Sequence, residues 1–256
     1  MVNKFAVIIA TYKRSDNSSY SNLKRVSEFL GSQTNQNFKI FLIGDHYRDE
    51  DEFQKIVKLF SKNKIYSYNN SYSFRQNYFN LPHNKWTNGG ILANLIGIKK
   101  AIGENFKYYL HLDDDDIWEN NHIEVVNRTI LKFPEVDFMV NKANYRSRTL
   151  PAEFHNKKNI ELKYNNFSVR GCNSVHSSWT INLITLGSLF VEILEKRIKI
   201  IEQIKNKELI EYRTLPSDQD ILNNLNTLQT TGKIKCIYIP QCTVTKRTDI
   251  NIPTSN

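Results

Sequence analysis

The sequence lacks the features that mark a membrane-spanning or a disulfide-stabilised protein. None of its apolar runs reaches the roughly 18 residues that a transmembrane helix needs. The first apolar run, residues 5–10, is too short for a secretion signal, so we expect a buried strand there. The cysteines form no CxxC pair and no metal-ligand spacing; they are Cys172, Cys236 and Cys242. These absences favour a cytoplasmic protein in a reducing compartment.

Several common enzyme motifs are also missing. The sequence contains no Gly-x-Gly-x-x-Gly motif, no P-loop and no cysteine in the setting of a nucleophile. It shows no internal repeat and no low-complexity linker. We therefore expect one α/β domain over residues 1–256, and phosphate chemistry, if present, must use something other than a glycine-rich loop.

The composition is that of a globular protein with an excess of positive charge. Hydrophobic residues make up 40% and charged residues 24%, which excludes a disordered chain. The formal net charge of +9 suits an anionic partner, such as a phosphorylated small molecule or an anionic membrane face. Because the basic residues are spread along the chain and form no arm or stripe, we expect no nucleic-acid partner.

Strand-like and helix-like segments alternate through the first half of the chain, which predicts βαβ units and a mostly parallel sheet. Apolar runs predict strands over residues 5–11, 39–45, 64–68 and 108–112. Helical periodicity predicts helices over residues 22–30, 50–60 and 91–102, after a long polar loop at 69–88. The second half is less regular. It predicts helices over 119–133, 183–207 and 218–228, and strands over 138–140, 178–182 and 234–240.

Three of the loops that leave predicted strands begin with polar residues that can bind a ligand. The first is Thr11-Tyr12-Lys13-Arg14, the second Asp45-His46, and the third the run Asp113–Asp116. In parallel sheets, ligands gather outside the carboxyl ends of the strands. The three loops together therefore predict a binding site at that edge.

Four consecutive aspartates repel one another, so something must offset their charge. Helix capping would explain one or two of them, whereas a divalent cation would offset the repulsion of the whole run. An EF-hand is excluded because Trp118 stands at the sixth position, where that loop needs glycine. Capping stays open as an alternative, but we favour Mg²⁺ or Mn²⁺ shared with the phosphates of a substrate.

The sequence resembles a GT-A glycosyltransferase of the family 2 type. The resemblance extends over roughly residues 5–225 and rests on the segments VIIATYKR, IFLIGD, GGILANLIGIKKA, YYLHLDDDDIW and PSDQDIL. It implies a Rossmann-like GT-A domain with a mixed acceptor-side half. Residues 1–117 would form the nucleotide-sugar-binding half, and residues 118–256 the acceptor-binding half with a C-terminal tail.

The resemblance also implies roles for residues of the first two loops. Thr11, Tyr12 and Arg14 would line the pocket for the base and ribose of the donor. Asp45 would accept a hydrogen bond from the base, as a carboxylate at a strand end can do for the imide N–H of uracil.

In the aspartate run, Asp113 and Asp115 match the two acids of the family's DxD motif. One of them would be directed at the ribose or the metal, and the other at the metal. Asp116 is the further metal ligand, whereas Asp114 falls at the variable middle position, where we expect it to face solvent and to be dispensable.

For the catalytic base, the resemblance implies Asp218, with Ser217 in place of the family's Glu. A carboxylate suits the removal of a proton from an acceptor hydroxyl. Asp218 is also well placed to begin a helix, and this structural reading stays open. Asp220 is the second candidate for the base.

Two departures from the family pattern concern the phosphates and the metal. Asn94 stands where relatives commonly place an Arg, so another cation must take its place, for which we consider Lys85, Arg75 or Arg247. The segment TVTKRTDIN near the C-terminus has no His to complete a metal shell, which leaves Thr248 or water. His111 and His176 are each interpreted as structural or functional histidines.

The resemblance implies an inverting, metal-dependent glycosyltransferase of the hexosyltransferase class, with Mn²⁺ or Mg²⁺ as cofactor. It would transfer a sugar from a nucleoside diphosphate sugar, with UDP-sugar as the expected donor, to a hydroxyl of a glycan or lipid-linked saccharide in polysaccharide biosynthesis. Peripheral contact with a membrane stays open. The alternatives are a sugar nucleotidylyltransferase, disfavoured because the loop after the first strand has no glycine, and a non-catalytic nucleotide- or glycan-binding module.

Overall fold

Strands and helices alternate through the first half of the chain, as the periodicity predicts. The computed structural model describes residues 3–71, 90–145, 148–151, 154, 157, 159–169, 174–205 and 217–246. The strands of the first half are β1 (Phe5–Thr11), β2 (Phe38–Gly44), β3 (Ile65–Asn69) and β4 (Tyr108–His111). The helices between them are α1 (Ser18–Gly31), α2 (Glu50–Leu59) and α3 (Ile91–Gly103).

The second half adds further strands to the same sheet and three helices to its faces. The strands are β5 (Ile117–Trp118), β6 (Phe138–Tyr145), β7 (Arg148–Leu150), β8 (Trp179–Asn182) and β9 (Cys236–Lys246). The helices are α4 (His122–Lys132), α5 (Leu183–Lys205) and α6 (Ser217–Thr230), and a 3-10 turn (His176–Ser178) precedes β8. None of the helices in the described residues has the length and apolar character that crossing a membrane requires.

The described strands form a nine-stranded sheet in the order β3-β2-β1-β4-β8-β6-β9-β5, with β7 paired to β6. Strands β1 to β4 are parallel, as are β6 and β9, whereas β8 and β5 run antiparallel to their neighbours. This arrangement confirms the predicted mostly parallel α/β sheet with a mixed second half.

Each face of the sheet is covered by helices, which explains why its strands are nearly continuous apolar runs. Alternate residues of β1 point to opposite faces: Phe5, Val7 and Ile9 pack with α1, α2 and α4, and Ala6 and Ile8 pack with α3, α5 and α6. Both cores are closed to solvent, so the sheet is a rigid base for the loops at its edges.

The register aligns the carboxyl ends of the strands that precede the three polar loops. Thr11 pairs with Gly44 across β1 and β2, and Ile8 pairs with His111 across β1 and β4. The backbone N–H of Asp45 donates to the carbonyl of Thr11 at 2.7 Å. All three loops therefore leave the sheet at one edge, as predicted.

The prediction that the last strand ends at Pro240 is wrong, because β9 continues to Lys246. The register between β6 and β9 shifts after Asn141, which pairs with Ile239, so that Lys142 pairs with Cys242. This bulge takes Pro240 out of the ladder, where its missing N–H costs no hydrogen bond. The six residues beyond Pro240 carry the strand on to the edge where the polar loops lie.

A glycine sets how closely α3 packs on β1, and this gives a test of the fold. A Cβ on Gly97 would lie 2.5 Å from Cγ2 of the buried Ile8, whereas one on Gly103 would meet no atom within 4 Å. We expect Gly97→Ala to lower the free energy of unfolding in urea by about 1–3 kcal/mol relative to Gly103→Ala. Equal free energies of unfolding for the two variants would contradict this packing.

Candidate functional site

The four aspartates after β4 form a tight turn between β4 and β5. The backbone N–H of Asp116 donates to the carbonyl of Asp113 at 3.3 Å, which closes the turn. Such a turn directs its successive side chains to different sides. The four carboxylates therefore differ in their surroundings, although Arg14 reaches both Asp114 and Asp115, and Lys246 reaches both Asp113 and Asp116.

Asp113 is held by a short chain of buried side chains. His111 Nε2 lies 2.9 Å from Asp113 Oδ1, and the Tyr109 hydroxyl hydrogen-bonds His111 Nδ1. Because a carboxylate only accepts, Nε2 carries the proton. Burial favours a raised pKa for Asp113, but the His111 hydrogen bond and the Lys246 charge hold this pKa well below its usual value. Asp113 is therefore ionised and oriented.

Asp114 does not face solvent, so that part of the prediction is wrong. Its side chain is 6% exposed and forms a two-pronged ion pair with Arg14, with Nη2 at 2.5 Å from Oδ1 and Nη1 at 2.9 Å from Oδ2. Thr11 Oγ1 donates to Oδ2 at 2.8 Å. The turn directs its second residue towards the end of β1 and the loop that follows, where Thr11 and Arg14 lie. Asp114 therefore anchors Arg14.

Asp115 has the loosest protein partner of the four. Its side chain is 26% exposed, and its contact with Arg14 Nη2 is long, at 3.4 Å. Burial and the neighbouring charges of Asp114 and Asp113 raise its pKa to about 6. A carboxylate that is accessible and repelled by its neighbours is suited to bind a cation.

Asp116 is buried, and its neighbours come from the distant second half of the chain. Ser177 Oγ donates to its Oδ2 at 2.7 Å and accepts from the backbone N–H of Asp113 at 2.9 Å. Lys246 Nζ lies 3.7 Å from Asp116 Oδ1 and 3.6 Å from Asp113 Oδ2. Burial and the charges of Asp113 and Asp115 raise the pKa of Asp116 to about 7, although Lys246 opposes the shift.

The residues of the aspartate run fit a divalent cation. Within the described residues, two cationic side chains, Arg14 and Lys246, form ion pairs with the run of four carboxylates, which leaves two negative charges in excess when all four are ionised. Carboxylate oxygens are the ligands that Mg²⁺ and Mn²⁺ prefer. Asp115, Asp113 and Asp116 are the residues that would hold such an ion.

Two histidines adjoin the same site. The rings of His111 and His176 stack with centroids 3.6 Å apart. Ligand atoms of His111, Asp113 and His176 lie within 4.8 Å of one another, a spacing that a metal ion can also use. Burial holds the pKa of His176 well below its usual value, so its ring is neutral. His111 Nε2 is already directed to Asp113, and we interpret this pair of rings as support for that carboxylate.

The predicted nucleotide-pocket residues lie together at this edge but differ in exposure. Thr11 is buried, and its hydroxyl contacts both Asp114 and the Tyr47 hydroxyl, at 2.8 and 3.0 Å. The Arg14 guanidinium lies 4.8 Å from the centre of the half-buried Tyr12 ring. Asp45 follows β2 directly and is buried.

The two candidate bases occupy different environments at the start of α6. Asp218 Oδ1 accepts a hydrogen bond from the backbone N–H of Gln219 at 2.9 Å. Asp220 forms an ion pair with Arg197, whose side chain is 3% exposed. One turn beyond Asp218, Ile221 lines a small cavity together with His176 and Tyr109. The start of α6 therefore packs near the histidines that support Asp113, and Asp220 is engaged in a structural ion pair.

Sequence reasoning missed two residues of the site. Ser177 and Lys246 both contact the aspartates. No local pattern marks Ser177. The lysine in the segment TVTKRTDIN is the signal that could have identified Lys246. Several other candidates lie outside the described residues; they are Arg75, Lys85, Arg247, Thr248 and most of the predicted loop at 69–88.

Comparisons with known proteins agree on one family. The family model described as glycosyl transferase family 2 matches residues 6–184. An uncharacterized glycosyltransferase, R139 of Acanthamoeba polyphaga mimivirus, is 33% identical over 177 residues, which are 68% of this chain and 71% of that protein.

Solved structures of TarS from S. aureus have the same fold. TarS 1–349 matches with a TM-score of 0.60 at 14% identity, covering 94% of this chain and 60% of that one. The same protein in complex with UDP-GlcNAc matches with a TM-score of 0.62 at 14% identity, covering 99% of this chain and 61% of that one. This chain thus spans about three-fifths of the solved TarS 1–349 chains, and at this identity the likeness shows the fold alone.

The opposite environments of Asp114 and Asp115 give a test of the site. Asp114→Asn leaves Arg14, whose side chain is 11% exposed, with only its long contact to Asp115 within the described residues, and we expect it to lower the free energy of unfolding by about 3 kcal/mol. Asp115→Asn removes a repelled charge, so we expect equal or higher stability in metal-free buffer at pH 8. Urea unfolding of both variants checks this pair. A stable Asp114→Asn would restore the view that Asp114 is dispensable.

Proposed function

The chain belongs to glycosyltransferase family 2, and we propose that it transfers a hexose from a UDP-sugar to a hydroxyl group of a glycan or lipid-linked saccharide, with inversion. The proposal rests mainly on the aspartate cluster, which has excess negative charge and lies at the sheet edge where three polar loops meet. The TarS structures with UDP and with UDP-GlcNAc favour uridine as the base of the donor.

We propose a divalent cation, Mg²⁺ or Mn²⁺, as the cofactor. Asp115 would hold it together with Asp113 and Asp116. When bound, the cation would neutralise the diphosphate and assist its departure. The hydrogen bonds from His111 and Ser177 support this role because they fix Asp113 and Asp116 in place.

We assign the nucleoside to the loops after β1 and β2, in the half formed by residues 1–117. Arg14 and Tyr12 would line the pocket for the base and ribose, and Asp45 would accept a hydrogen bond from the base. Thr11 would act through Asp114, since its hydroxyl already donates to that carboxylate. The ion pair with Asp114 holds Arg14 in a single position and so lowers the entropy that nucleotide binding must cost.

We assign the catalytic base to Asp218, in the half formed by residues 118–256. Its carboxylate would take the proton of the acceptor hydroxyl while that oxygen attacks the anomeric carbon. The bond from this carbon to the diphosphate breaks on the opposite side, the nucleoside diphosphate leaves, and the configuration inverts. The ion pair between Asp220 and Arg197 favours Asp218 over Asp220 for this role.

The test is nucleotide release from a panel of UDP- and GDP-sugars, each assayed with Mn²⁺ and with a chelator. We expect release from a UDP-sugar only with the metal present. Asp115→Ala should lower the rate by at least about a hundredfold, because a metal ligand is lost. Asp218→Asn should abolish transfer and leave UDP binding, measured by calorimetry, unchanged.

Different results would contradict different parts of the proposal. A wild-type protein that releases no nucleotide from any donor, and so matches Asp115→Ala, would contradict transferase activity. Pyrophosphate formation would favour a nucleotidylyltransferase. Undiminished transfer by Asp218→Asn would refute the assignment of the base, and the same measurement on Asp220→Asn then tests the second candidate.

A further inference from the structure

Lys246 is carried into the aspartate site by the backbone of β9. The strand continues past Pro240 through its bulge and pairs antiparallel with β5, where Ile117 lies opposite Thr245. The next position along this ladder sets Lys246 level with Asp116. The position of the lysine is therefore determined by the sheet and not by a loop.

The ammonium group of Lys246 is held more loosely than the guanidinium group of Arg14. Its distances of 3.6 Å to Asp113 Oδ2 and 3.7 Å to Asp116 Oδ1 exceed those of a hydrogen bond. Its side chain is 36% exposed, against 11% for Arg14, which contacts Asp114 at 2.5 Å. Within the described residues, the ion pairs of Lys246 are therefore longer than the two hydrogen bonds from Arg14 to Asp114, so its ammonium can move to a phosphate oxygen at a smaller cost.

A nucleoside diphosphate adds further negative charge to a cluster that is already repelled. One divalent cation offsets only the two charges that the carboxylates have in excess once Arg14 and Lys246 are counted. The diphosphate therefore favours a cation that can turn from a carboxylate to a phosphate oxygen. Arg14 cannot serve without leaving the buried Asp114 unpaired. An ammonium is a compact charge with three rotatable donors, which suits a phosphate oxygen.

We propose that Lys246 is a diphosphate-binding residue of this enzyme. Its ammonium lies between Asp113 and Asp116 in the free protein and donates to a phosphate oxygen when a nucleoside diphosphate enters. The inference rests on the donor class proposed above and adds to it a residue that binds the diphosphate. It requires no transfer reaction and can be measured by binding alone.

The test compares UDP and uridine, which share a nucleoside and differ in the diphosphate. Binding is measured by calorimetry for UDP and by ligand-observed NMR for uridine, with saturating Mn²⁺ in every sample so that metal occupancy stays constant. We expect Lys246→Met to weaken UDP binding about tenfold or more, and to leave uridine binding unchanged. Lys246→Arg, which keeps the charge, should recover most of the UDP affinity.

The matched control is Lys233→Met, since Lys233 precedes β9 at the opposite end of that strand, and it should bind both ligands as the wild type does. UDP binding by Lys246→Met at wild-type affinity would overturn the proposal. Equal loss of UDP and uridine would also overturn it, because the lysine would then be structural. A wild type that binds no nucleoside diphosphate contradicts the donor class and the lysine's role together, whereas UDP binding without turnover contradicts only the transferase activity.

Discussion

Mutual repulsion among four adjacent carboxylates is the constraint on which this site depends. The fold reduces this repulsion through the partners of the carboxylates. Asp113 accepts a hydrogen bond from His111, Asp114 forms an ion pair with Arg14, and Asp116 accepts a hydrogen bond from Ser177. Within the described residues, Asp115 has the weakest contact with a partner, a long one to Arg14 at 3.4 Å. One turn thus combines structural acids with an acid that is available to a cation. Within the described residues, the excess negative charge equals the charge of one divalent ion when all four carboxylates are ionised.

The partners of the aspartates come from distant parts of the sequence. Arg14 and Asp114 are separated by 100 residues, and Ser177 and Asp116 by 61. They meet because parallel strands β1 and β4 end at one edge, and because β8 and β9 return to that edge from the second half. The two apolar cores keep this sheet rigid. The electrostatics of the site is therefore a property of the whole fold, and it would not survive in the aspartate segment alone.

Local patterns in the sequence predict most of the fold, since β1 has the predicted bounds and α2 differs by one residue at its end. These segments follow from apolar periodicity, which needs no knowledge of distant contacts. The orientation of Asp114 could not be predicted this way, because it depends on the turn and on Arg14. Pro240 falsely indicates the end of β9, because the bulge that accommodates this proline cannot be seen in the sequence. Ser177 and Lys246 reach the site through strand order, which the sequence does not display.

The central claim is that the aspartate turn is where a divalent cation and the diphosphate of a donor meet. Anomalous diffraction at the manganese edge, from crystals grown with Mn²⁺ and UDP, tests it most directly. We expect an anomalous peak within about 2–2.5 Å of an Asp115 carboxylate oxygen, with the diphosphate of UDP bound to the same ion. A manganese peak elsewhere, or UDP whose phosphates lie away from the aspartates, would contradict it.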